Sequence, residues 1–75
     1  MNIQTFVKNF AEQFDDTDIR EIKKETKFQE LEEWSSLILI SIIAMIKTEY
    51  GKNVTGPEIR KCNTVKDLFD LVASK

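Results

Sequence analysis

The sequence contains no histidine, a single cysteine, one proline and two glycines among its 75 residues. Each shortage excludes a class of protein. Without imidazole there is no ordinary general base, no Cys-His or Ser-His nucleophile pair, and no nitrogen ligand for a zinc ion. Self-contained catalysis is therefore not expected, and neither is a metal site. One cysteine makes neither an intramolecular disulfide nor a thiolate cluster, so nothing covalent staples the fold and a reducing, cytoplasmic setting is expected. The scarcity of glycine and proline argues against turn-rich β-sandwiches and barrels. The expected class is all-α.

Charge of one sign is also scarce. The chain has 13 acids against 11 bases, a formal charge of −2, distributed unevenly: residues 1–35 hold nine acids and five bases, and residues 36–75 hold four and six. The bases are scattered and lack interleaved aromatics, so no nucleic-acid footprint is expected. The longest apolar stretch, Leu37 to Ile46, spans ten residues including Ser41, against the roughly 20 that cross a bilayer. No membrane span is expected. The first ten residues lack a basic segment followed by an apolar one, so no secretory leader is expected. With 41% apolar residues, residues 1–75 can bury one small core, which predicts one domain. A monomer is the expected state.

Hydrophobic spacing places the helices. Ile3, Phe6, Val7, Phe10, Ala11 and Phe14 share one helical face, predicting a helix over Asn2–Phe14. Asp15, Asp16, Thr17 and Asp18 interrupt that pattern with residues that favour turns. A long connection follows, with Ile19, Ile22, Phe28, Leu31 and Trp34 as its expected buried pins and one helical turn over residues 19–24. Ser35 or Ser36 caps a second helix that runs to Tyr50, where Gly51 provides a left-handed stop and Lys47 suits the negative end of the dipole. Thr55 and Glu58 have capping-box spacing around Pro57, predicting a short third helix over residues 56–61. Thr64 and Asp67 repeat that spacing before Val65, Leu68, Phe69 and Val72, predicting a fourth helix to Ala73.

The second helix is apolar around nearly its whole circumference. A core-facing side of Leu39, Ile42, Ile43, Ile46 and Tyr50 leaves Ile38, Ser41, Met45 and Thr48 on the outer face, and an apolar outer face marks a partner surface. On this placement Ile38→Glu should alter partner binding and leave the helix intact. Ser36, at the positive end of the same helix, suits an attached anion. The acids Glu30, Glu32 and Glu33 read as a solvated charge run, and Cys62 as a small semi-buried apolar residue.

The order of these features resembles the acyl carrier protein family over nearly the whole chain. The matching segments are the amphipathic first helix, Thr26-Lys27-Phe28-Gln29-Glu30-Leu31 in the long connection, and Glu33-Trp34-Ser35-Ser36-Leu37 opening an apolar helix. Thr48-Glu49-Tyr50-Gly51 closes that helix, and Asn63-Thr64-Val65-Lys66-Asp67-Leu68 opens the last one. The resemblance implies a four-helix bundle that is not an enzyme. It also implies that Ser36 carries 4'-phosphopantetheine, transferred from coenzyme A by a phosphopantetheinyl transferase, and that the arm holds acyl intermediates as thioesters for acyl-transferring or synthase enzymes. Fatty acid, polyketide, nonribosomal peptide and other lipid pathways all fall within this class. Ser35, Leu37, Ile38, Ser41 and Met45 are the expected partner-binding residues.

Two features depart from the family. Ser35 stands where the family usually has Asp, and the second helix lacks the family's row of outward acids. The first departure favours an alternative: a helical protein-interaction module that is never modified.

Overall fold

Asn2 opens the first helix by local chemistry, because its side-chain oxygen accepts from the Gln4 and Thr5 N–H groups at 2.8 and 3.2 Å. The computed structural model describes residues 2–75. Among them it has four α-helices: α1 (Ile3–Ala11), α2 (Ser36–Tyr50), α3 (Gly56–Arg60) and α4 (Val65–Ala73). Single 3-10 turns at Ile19–Glu21 and Phe28–Glu30 interrupt the long connection, and no described residue is in a strand.

α1 stops three residues short of the Phe14 end expected from its apolar spacing. Gln13 and Phe14 donate to the carbonyls of Phe10 and Ala11, three residues back, which tightens the helix out of existence. Phe14 remains buried at 6% exposure, so the apolar pattern outruns the helix by one turn.

The later boundaries follow from caps. Gly51 takes φ 65°, the left-handed conformation that glycine adopts without a Cβ penalty, and ends α2. Thr55 with Glu58, and Thr64 with Asp67, form both arms of their capping boxes. The first turn of α4 is also satisfied from outside, since the Val65 and Lys66 N–H groups donate to the carbonyls of Thr26 and Lys24 at 3.2 and 2.9 Å. The long connection is thereby tied to α4.

α1 packs on α4 and α2, and α2 packs on α3, around one cluster of buried apolar side chains. Aromatic rings run through it. Phe10 meets Phe28 edge-on at 5.3 Å, Phe28 meets Trp34 at 5.0 Å, and Phe6 bridges Tyr50 at 5.6 Å and Phe69 at 5.5 Å. The radius of gyration, 10.9 Å, matches the value of about 11 Å expected for a close-packed chain of this length.

Of the expected pins, Ile22 and Phe28 are buried, and Leu31 and Trp34 pack partly buried against the core. Ile19 is the exception, at 46% exposure. It opens a 3-10 turn capped by Asp18, and that turn lies on the surface.

Candidate functional site

Ser35 and Ser36 have different roles at the start of α2. Ser35 is the N-cap: its backbone is extended (φ −156°, ψ 173°), its hydroxyl accepts from the Ile38 N–H at 3.4 Å, and its carbonyl accepts from Leu39 at 3.0 Å. Ser36 is the first helical residue and is exposed. No described residue hydrogen-bonds its hydroxyl, and neither its own N–H nor that of Leu37 has a partner among the described residues. These two donors lie at the positive end of a 15-residue helix. α4 differs here, because its first three N–H groups donate to Thr26, Lys24 and Thr64, while in α1 Asn2 accepts from the second and third, Gln4 and Thr5.

The outer face of α2 is not the one expected. Ile38 and Met45 are both buried at 7% exposure, and Ser41 is half-buried. Leu37 at 76% and Ile40 at 61% are exposed instead, with Ala44 completing the row and Thr48 exposed as expected. The true face is the expected one turned back by one residue, about 100° of helix rotation. The physical reason is the composition of α2: a helix that is apolar on all sides carries no strong preference of its own, and the packing of α1 and α3 against it selects the face. Ser36 consequently shares its exposed surface with Leu37, Ile40 and Ala44.

Glu33 is a site residue that sequence reasoning missed. Its carboxylate accepts from four donors in the turn after α1: Asp15 N–H at 2.7 Å, Asp16 N–H at 3.0 Å, Thr17 N–H at 2.8 Å and the Thr17 hydroxyl at 2.7 Å. It clamps that turn three residues before Ser36. Asp16, Thr17, Glu21, Leu31, Glu32 and Glu33 line an open groove of about 610 Å³ beside it. Among the described residues no cluster has the geometry of a metal site. Gln29 makes a second tie, donating to the Arg60 and Cys62 carbonyls at 3.0 and 2.8 Å and capping the end of α3.

The Glu33 carboxyl is held below its ordinary value, first by the Thr17 hydroxyl and then by the three backbone N–H groups. Because the folded value is depressed, the stability this clamp contributes is present above the ordinary glutamate range of about 4 and is lost as pH falls through the lower folded value. Glu58, depressed first by the Lys75 ammonium and then by the Thr55 N–H, and Asp67, depressed within its capping box, act in the same direction. In Glu33→Gln one acceptor becomes an NH2 donor facing backbone donors. Its melting temperature should be lower than that of the wild type at neutral pH, and the gap should close as pH falls below about 4. Thermal melts across that range measure the gap. A gap independent of pH would show that the clamp does not depend on the carboxylate.

Cys62 is buried at 7% exposure, and its thiol donates to the Glu58 carbonyl at 3.5 Å. Burial, with Asp67 and Glu58 nearby, pushes the thiol above its ordinary range, the opposite of a reactive thiolate. It is a packing residue, as its setting in the sequence implies. Trp34 packs partly buried against Phe28 and Phe14, where it closes the long connection.

Comparison with family models, curated proteins and solved structures finds no match to this chain. No helix among the described residues is long and apolar enough to cross a membrane.

Proposed function

We propose that this chain is an acyl carrier protein whose Ser36 takes a 4'-phosphopantetheine arm, and that it presents acyl thioesters to partner enzymes in the cytoplasm. The observation that carries the reading is the exposed Ser36 hydroxyl beside two N–H groups at the start of α2 that have no partner among the described residues. A phosphodiester on that oxygen would face those donors and the positive helix end, which is where backbone alone favours an anion. The order of elements supports it too: a long first connection, an apolar second helix, a short third helix and a capped fourth helix.

The residues present fit the group. Ser36 supplies the attachment oxygen, Ser35 fixes the helix start without competing for it, and Glu33 with Trp34 holds the preceding turn. The arm, when attached, supplies the thiol that a chain with one buried cysteine does not offer. Leu37, Ile40 and Ala44 form the surface beside it that a transferase or synthase would touch, replacing Ile38 and Met45 in that role. Catalysis belongs to those partners.

Incubation with coenzyme A, Mg and a broad-specificity phosphopantetheinyl transferase should raise the intact mass by one phosphopantetheine. In Ser36→Ala the gain should be lost completely. An unchanged wild-type mass together with a stable complex between unmodified protein and a protein partner would favour the interaction module, which the Ser35 in place of the family's Asp also favours.

A further inference from the structure

Between Ser36 and Thr48, Lys47 is the only ionisable side chain. Leu37, Ile40, Ala44 and Lys47 follow one another at three-, four- and three-residue steps, so one exposed row on α2 runs from Ser36 through apolar side chains to a single cation. The two ends are separated by about 16 Å along the helix axis. Among the described residues Lys47 makes no ion pair. Glu49, the one acid on α2, is two residues further on and so on another side of the helix. The carboxylate of Glu33 is turned toward the Asp15–Thr17 turn, where four donors hydrogen-bond it. The row is therefore uncharged up to Lys47 and positive at its far end.

We infer that the enzymes acting on Ser36 dock on this row through an apolar cleft that sets a carboxylate opposite Lys47, and not through a basic patch. The inference rests on the carrier reading and specifies the partner chemistry of the same site. Leu37 and Ile40 lose water on docking, and their burial supplies the attraction that charge steering supplies at an acidic helix. Lys47 fixes the direction of docking, because a cation at one end of an otherwise neutral row breaks its symmetry.

The probe is the same phosphopantetheinyl transferase with coenzyme A and Mg, with kcat/KM for the carrier read from the rate of mass gain. Between about 50 and about 500 mM NaCl the wild-type value should change by less than about threefold, since little of the attraction is screened. Leu37→Ser and Ile40→Ser should each lower it about tenfold while leaving the helical circular dichroism unchanged. Lys47→Glu should lower it more than Lys47→Gln. Wild-type rates in Leu37→Ser and Ile40→Ser, a fall of tenfold or more with salt, or faster loading of Lys47→Glu would each overturn the inference while leaving the carrier reading in place. Absence of any mass gain on the wild type would overturn the carrier reading, and the inference with it.

Discussion

Phe28→Ala is expected to bring the domain close to unfolding at room temperature. Phe28 is fully buried, with its ring edge-on to Phe10 at 5.3 Å and to Trp34 at 5.0 Å. Truncating such a side chain costs about 3–5 kcal/mol, from lost transfer energy and the cavity left behind. A chain of this length has only about 4–11 kcal/mol in total. The position amplifies the loss, because Phe28 is the deepest anchor of a connection otherwise held by Ile22, Leu31 and Trp34 and by hydrogen bonds at Glu33, Gln29 and Thr26. Urea titration followed by Trp34 fluorescence should show an earlier midpoint and, in the native baseline, emission shifted toward that of an exposed indole. Ile19→Ala in the same connection, at a residue 46% exposed, should cost less than about 0.5 kcal/mol. Equal losses at the two positions would mean that the connection is not pinned where the structure places it.

The second large effect is expected on α2, where Met45→Glu should bring the domain close to unfolding and Ile40→Glu should not. Met45 is buried at 7% exposure in mid-helix, so a glutamate there forfeits apolar burial and leaves a carboxyl among Ile42, Ile46 and their neighbours, for a loss of about 3–5 kcal/mol. Ile40 is 61% exposed, and glutamate is as good a helix former as isoleucine, so Ile40→Glu should stay within about 0.5 kcal/mol of the wild type. Its effect should fall on partner binding. Ile38→Glu is a poorer probe of the same rotation. It too buries a carboxyl, but it sits three residues after Ser35, where glutamate can complete a capping box and recover about 1 kcal/mol. Thermal melts of Met45→Glu and Ile40→Glu decide the matter: a wild-type melting temperature for Met45→Glu beside a strongly lowered one for Ile40→Glu would restore the unrotated face.

What could be read from the sequence was what is decided within a few residues. The capping boxes at Thr55–Glu58 and Thr64–Asp67, the stop at Gly51 and the serine start of α2 all formed as their spacing requires, because each closes over three or four residues. The exposed face of α2 was not legible, since Leu37 to Ile46 offers apolar side chains in every direction and only the neighbouring helices choose among them. Glu33 and Gln29 were hidden for a related reason. Their partners lie 16 to 18 and 30 to 33 residues away, and a glutamate within a charge run reads as solvated until the turn it clamps is in place. The end of α1 was misjudged because Phe14 continues the apolar spacing into a turn where Glu33 claims the backbone donors of the next residues.

Ser35 and Ser36 are adjacent, and the proposed carrier reading puts the arm on Ser36 alone. Ser35 has its hydroxyl on the Ile38 N–H, whereas the Ser36 hydroxyl has no hydrogen-bond partner among the described residues. Fragmentation mass spectrometry of a digest, taken after transferase treatment with coenzyme A and Mg, assigns the added mass to one serine or the other. The expected result is a single phosphopantetheine on Ser36 and none on Ser35; an arm on Ser35, or no arm on either serine, would contradict the account.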